Sequence, residues 1–218
     1  GIYVRYKHEE LYAVLTIESQ RHRSLLVGED LGTVPADVPP AMERHALRRM
    51  HVLEYALEAD RLTFEGLVPS AIASINTHDL FPFGSWWDGE DIEDRKRQGV
   101  IDDRGVEHAR GKREWMKSEL IRVLVEEKRL EPEVKDPASV LSAVLEKYGE
   151  SPVPLVLGSL EDAWLERRPQ NVPGTGPDSP NWRRKMARTL EQVAVDEDVI
   201  DPFDRLGQAR ARSLAPRT

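Results

Sequence analysis

Four short apolar runs, at residues 24–27, 49–53, 71–76 and 152–157, alternate along the chain with stretches whose apolar residues recur at helical spacing. None of the four alternates apolar with polar positions, which is how a strand reads when both of its faces are covered. Strand and helix in alternation is the pattern of parallel βα units. A closed eight-stranded barrel of that kind typically takes ~250 residues, and this chain has 218. Four strands are half of eight. The expected fold is therefore α/β, the C-terminal half of a (β/α)8 TIM barrel comprising about strands 5–8 with their helices. The division expected is a partial barrel over residues 1–195 and a C-terminal tail over 196–218.

The helical stretches fall at 8–23, 41–46, 88–98, 107–128, 137–148 and 181–193. In the first, Leu11, Val14 and Leu15 share a stripe that Glu18 interrupts. The third has its acids in the first turn, where the helix dipole favours them. The fourth buries one face through Trp115, Leu120, Val123 and Leu124. Gly149 is read as ending the fifth, residues 169–181 as a loop rich in Pro, Gly and Asn, and residues 209–218 as frayed.

Charge and composition exclude several classes. A net charge of −8 opposes a nucleic-acid partner, because phosphate binding needs a basic surface. No apolar run approaches the ~20 residues that span a bilayer, so no membrane role is expected. Zero cysteines exclude disulfides and thiolate chemistry and are compatible with a cytoplasmic setting. The chain opens on Gly1-Ile2-Tyr3-Val4, which reads as the middle of a domain and leads to the expectation of an excised or processed segment.

Three runs end in groups that can do chemistry: Glu29-Asp30, His78-Asp79 and Glu161-Asp162. In (β/α) barrels the C-terminal strand ends form the active-site face. Two carboxylates there, Glu29 and Asp79, are what glycosidic chemistry needs. One protonates the leaving oxygen and another supports the oxocarbenium-like centre. For Glu29 to hold a proton near neutral pH, burial or a like charge must raise its pKa. On pattern alone, a carboxylate after a strand is more often a helix cap or a surface residue.

The local strings sharpen the choice. Val27-Gly28-Glu29-Asp30-Leu31-Gly32-Thr33-Val34-Pro35 resembles the acid/base motif of glycoside hydrolase family 77, the amylomaltase or disproportionating-enzyme family. Asn76-Thr77-His78-Asp79-Leu80 resembles that family's third aspartate motif, and Tyr3-Val4-Arg5-Tyr6 its approach to the acid/base strand. Asn171-Val172-Pro173-Gly174-Thr175 and Pro180-Asn181-Trp182-Arg183-Arg184-Lys185 resemble its C-terminal signature. The five strings occur in family order between residues 3 and 185.

The resemblance implies a 4-alpha-glucanotransferase that moves α-1,4-glucan segments between maltooligosaccharides by a retaining mechanism. Glu29 would be the acid/base and Asp79 the transition-state stabiliser, with His78 donating a hydrogen bond to the same sugar and Asn171 among the substrate-binding residues. It implies no cofactor and no metal. The nucleophilic aspartate of the family has no match in this chain and is expected upstream of Tyr3, so the chain alone is expected to be inert. Its expected partners are the glucan, the missing N-terminal half of the barrel, and itself. Where the family often reads Leu-Pro-Thr after the aspartate, this chain has Leu80-Phe81-Pro82-Phe83, which affects donor contacts. Trp86 and Trp87 weigh equally between stacking on a sugar and packing in the core, and Trp87 is kept as a substrate-binding candidate.

Two rivals stand beside this reading: a retaining α-glucan hydrolase with the same carboxylates, and a non-catalytic glucan-binding or scaffold fragment. The remaining features read blandly. Asp88, Glu90, Asp91, Glu93 and Asp94 lack the spacing of a calcium loop and fit a solvated helix start, and Glu161 and Asp162 fit a structural or rim position.

Overall fold

Three of the four apolar runs form one parallel sheet in the computed structural model, which describes residues 2, 4, 6–58, 64–177 and 179–215. The chain order is α1 (His8–His22), α2 (Val38–Arg44), β1 (Arg49–Val52), α3 (Leu53–Glu58), β2 (Ala71–Ser74), α4 (Phe83–Asp88), α5 (Glu90–Arg97) and α6 (Asp103–Glu126). It continues through α7 (Pro137–Glu150), β3 (Leu155–Leu157), α8 (Leu160–Ala163), α9 (Leu190–Val195) and α10 (Glu197–Leu214). The strands lie in the order β1-β2-β3, all parallel, with Met50 beside Ile72 and Ile72 beside Leu155. Helical crossovers between parallel neighbours are what the alternating pattern requires.

The run at 24–27 falls short of a strand. It makes one parallel bridge, Val27 with Arg48, in which the Arg48 N–H donates to the Leu26 carbonyl at 2.8 Å and the Gly28 N–H to the Arg48 carbonyl at 2.9 Å. Its Leu25 and Val27 stay exposed, and among the described residues no other strand pairs with it to extend the ladder. The bridge still sets this segment beside β1, so the described strand ends point the same way. Of the string Tyr3-Val4-Arg5-Tyr6, Tyr3 and Arg5 lie outside the described residues, and Val4 and Tyr6 are exposed.

One face of the sheet carries the core. Ala71, Ala73 and Val156 meet Val140, Val144 and Tyr148 of α7, Leu120 and Leu124 of α6, and Phe83 and Trp86 of α4. The opposite face is only partly covered, and at β3 Leu155 and Leu157 remain 44% and 51% exposed. Parallel sheets normally have both faces covered.

Several boundaries move for identifiable reasons. The helix expected over 88–98 is two helices, because Gly89 takes a left-handed conformation (φ 79°) that caps α4 and starts α5. The one expected from 107 begins at Asp103, since the Asp102 carboxylate accepts from the Gly105 N–H at 2.8 Å. Residues 181–188 are turns and bends, not the first half of a helix. Helix resumes only at α9, where Thr189 and Gln192 form a capping box.

The expected frayed end from residue 209 is helical to Leu214, and Ala209 is buried. α10 docks on α7 at Gly149, which does not end α7 but admits the close approach. A Cβ there would lie 2.6 Å from the Leu206 carbonyl oxygen and 2.7 Å from the Ala209 Cβ. Gly158, just past β3, is likewise covered by the Phe203 ring. Gly149→Val therefore forces α10 off α7 and destabilises by about 1–3 kcal/mol, the usual cost of overpacking. Thermal unfolding measures this, and an unchanged midpoint contradicts the packing described.

Candidate active site at the strand ends

The loop after residue 27 is fastened by Asp30. Its carboxylate accepts from the Arg49 Nε at 2.5 Å and from the Met50 N–H at 3.0 Å, and its side chain is 2% exposed. Gly28 lies under Met42 of α2, whose Cε would sit 2.8 Å from a Cβ at that position. With its neighbours tied down, Glu29 is left exposed on a cleft of about 880 Å³ that Arg49, Met50, Val52 and Tyr55 also line.

The loop after β2 is fastened by a residue from the far end of the chain. Asp162 of α8 accepts from the Asn76 Nδ2 at 3.0 Å on both of its oxygens, and from the Phe83 N–H at 2.7 Å. Asn76 opens the loop and Phe83 closes it, so one carboxylate holds both ends of the segment that carries His78 and Asp79. Within the segment the Asp79 N–H donates to the Thr77 Oγ1 at 3.3 Å. The Asn171 Nδ2 donates to the Asp79 Oδ1 at 2.5 Å, and the His78 Nε2 lies 3.4 Å from the same oxygen. The His78 ring also stands 5.6 Å from that of Trp182. His78 and Trp182 line a second cleft of about 410 Å³, and Met50 lines both clefts.

Tyr55 joins the two halves. Burial raises the pKa of its phenol first, followed by the charges of Glu54, Asp79 and Glu29. The segments that lead into Glu29 and Asp79 flank β1 on either side and run parallel to it, so both acids follow C-terminal strand ends. Beneath lies a second acidic layer. Glu54 is buried, and burial, then the Asp162 charge, holds its pKa well above the carboxylate range. Burial pushes Asp162 up to about 6 in spite of the Phe83 and Asn76 donors.

Of the residues singled out from sequence, Glu29, Asp79, His78 and Asn171 gather at the strand ends. Trp87 does not. It is buried in the core against Phe83 and Trp86, with the Lys117 Nζ 5.0 Å from its ring centroid, so it packs rather than offers a face to a sugar. The acids at the start of α5 are engaged in ion pairs, among them Asp91 with Arg113 and Glu93 with Arg110 at 2.8 and 2.7 Å. Another large cleft, of about 810 Å³ between α7 and α10, shares no lining residue with these two. Sequence reasoning missed Asp162 as the clamp, Tyr55 as the junction and Trp182 as a cleft residue. Asp162 had a signal as a strand-end acid that fits a structural position, and Trp182 as an aromatic inside one of the quoted strings; Tyr55 had none.

The sequence model of the 4-alpha-glucanotransferase family, glycoside hydrolase family 77, matches residues 1–191. The chain is 30% identical to a 4-alpha-glucanotransferase of Mycobacterium tuberculosis over 227 aligned positions, covering 100% of this chain. It is 29% identical to the Haemophilus influenzae 4-alpha-glucanotransferase over 218, covering 96%. It spans 31% of the length of each of these relatives. Among solved structures, the amylomaltase of Corynebacterium glutamicum superposes with a TM-score of 0.80 at 24% identity, over 95% of this chain and 32% of that one. A Streptococcus agalactiae amylomaltase in complex with acarbose gives 0.63 at 14% identity, over 96% and 36%.

The clamp has a pH signature. A carboxyl whose pKa rises on folding contributes stability while protonated, and that contribution is lost as pH rises through the folded value. For Asp162, with 3.8 as the ordinary value and about 6 folded, the loss amounts to about 3 kcal/mol by pH 7. Asp162→Asn removes this dependence. Its melting temperature at pH 7 relative to pH 4.5 is expected to exceed the same difference in the parent chain. An identical pH profile in the two proteins contradicts the buried clamp.

Proposed function

The chain belongs to the 4-alpha-glucanotransferase family, glycoside hydrolase family 77, and from that premise we propose that it carries the acid/base side of a retaining α-1,4-glucan transfer site. The observation that supports this best is geometric: Glu29 follows the segment that bridges to the start of β1, Asp79 follows β2 on the other side of β1, and Met50 of β1 lines the clefts at both. In this reading Glu29 protonates the departing glycosidic oxygen while a nucleophilic carboxylate attacks the anomeric carbon from the other face. Glu29 then takes the proton from the 4-hydroxyl of the acceptor glucan as the covalent intermediate is released. Asp79 accepts from hydroxyls of the same sugar and favours its distorted transition state, with the Asn171 amide orienting its carboxylate and His78 donating beside it. The chemistry is proposed to need no metal or organic cofactor.

The nucleophile is proposed to come from outside residues 1–218. A retaining site needs a second carboxylate ~5–5.5 Å from the acid/base. Asp30 adjoins Glu29, but its oxygens are engaged by Arg49 and by the Met50 N–H. The relatives, about three times as long, leave room for that contribution. By the same reasoning residues 1–195 form the C-terminal half of a (β/α)8 barrel, about strands 5–8, and 196–218 is an appendage docked through α10. The remaining half would cover Leu155 and Leu157 and pair the segment at 24–27. Without it the chain is expected to associate with itself, since exposed apolar faces and open strand edges are sites of association. A cytoplasmic setting belongs to the same proposal.

In the full-length protein that carries this segment, maltotriose is expected to yield longer maltodextrins. Glu29→Gln is expected to lower kcat about 10²–10⁴-fold, the range for losing a general acid/base. Glucose and maltose as the sole products would make it a hydrolase, and full activity in Glu29→Gln would remove Glu29 from the mechanism. The 218-residue chain alone is expected to show no disproportionation. Detectable turnover by it overturns the external nucleophile.

A further inference from the structure

Trp182 combines three features that ordinary packing does not explain. Its side chain is an indole, yet the residue is 63% exposed. Its backbone is left-handed (φ 58°), a conformation that a bulky residue adopts only when its surroundings impose it, at a cost of about 1–3 kcal/mol. And the ring borders the cleft beside His78, at 5.6 Å between ring centroids.

What imposes the conformation is a loop bonded to itself. The Asn181 side chain accepts from the Val172 N–H at 3.1 Å and from the Ser179 Oγ at 3.0 Å, and donates to the Thr175 Oγ1 at 2.8 Å. The Trp182 N–H donates to the Gln170 carbonyl at 2.9 Å, and the Gln170 Nε2 donates in turn to the Glu161 Oε1 at 2.7 Å. On the other flank the Arg184 Nε donates to the Pro169 carbonyl at 3.1 Å. Such a network fixes the backbone that carries the indole before any ligand arrives, which lowers the ordering cost of binding.

We propose that Trp182 is a sugar-stacking residue, its ring receiving the apolar C–H face of a glucosyl unit next to the one held by the Asp79 loop. The cleft has the chemistry for this: an aromatic wall, with the hydrogen-bonding side chains of Asn76, Thr77, His78 and Glu161 around it. A pyranose presents the same division, hydroxyls at its rim and C–H groups on its faces. A cleft of about 410 Å³ is also within the range of small-ligand sites. The inference rests on the glucan reading above and adds a specificity-determining residue to it.

The test is a calorimetric titration with maltoheptaose of the full-length protein that carries this segment, held inert by Glu29→Gln. Trp182→Leu in that background is expected to weaken binding about tenfold and Trp182→Tyr less, with the thermal midpoint reporting an intact fold in each. Equal affinity with and without Trp182→Leu overturns the stacking role and leaves the glucan reading standing. Absence of any maltoheptaose binding by the full-length protein overturns the glucan reading and the stacking role with it.

Discussion

The carboxylate of Asp162 is the contact on which the site geometry depends. It is buried and holds a side chain at one end of the Asp79 loop and a backbone N–H at the other, both about eighty residues away in sequence. A buried backbone N–H is costly to leave without an acceptor, and the Asp162 carboxyl supplies one to Phe83. Here it joins the end of β2 to the start of α4, so the loop between them has fixed ends. Asp30 does the equivalent for the Glu29 loop across β1. Each strand-end acid offered to solvent is thus held by another that is buried.

This division of labour explains why adjacent acids in one string act differently. In Glu29-Asp30 the second residue turns in and bonds the neighbouring strand, which leaves the first on the cleft. In Glu161-Asp162 the second residue again turns in, and Glu161 binds Gln170 in the loop that carries Trp182. The two buried acids are both pushed up, Glu54 by burial and then by the Asp162 charge, and Asp162 by burial with a smaller contribution from the Glu161 charge.

Much of this was legible in the sequence where the signal is local. The runs at 49–53, 71–76 and 152–157 became strands because continuous apolar residues bounded by turn formers suit a buried parallel strand. Glu29 and Asp79 were legible as a pair because their strings were distinctive. The clamp was not legible, since nothing near Asp162 in sequence indicates that its partners are Asn76 and Phe83. Trp87 was ambiguous because an aromatic opening a helix serves packing or binding equally well, and only the position of α6 decides it. Residues 181–188 fail to form helix because Asn181 uses its side chain to close the preceding loop. The C-terminal helix was missed because its buried residues, Val199, Pro202 and Ala209, are too few among charges to read as a stripe.

The proposed chemistry requires that Glu29 and Asp79 serve one bound sugar. A structure of this protein with a maltooligosaccharide tests it most directly. The expected result is a glucosyl ring with both carboxylates within hydrogen-bond reach of its oxygens, on the C-terminal edge of the sheet. A ligand held elsewhere, such as the cleft between α7 and α10, with Glu29 and Asp79 both untouched, would contradict it.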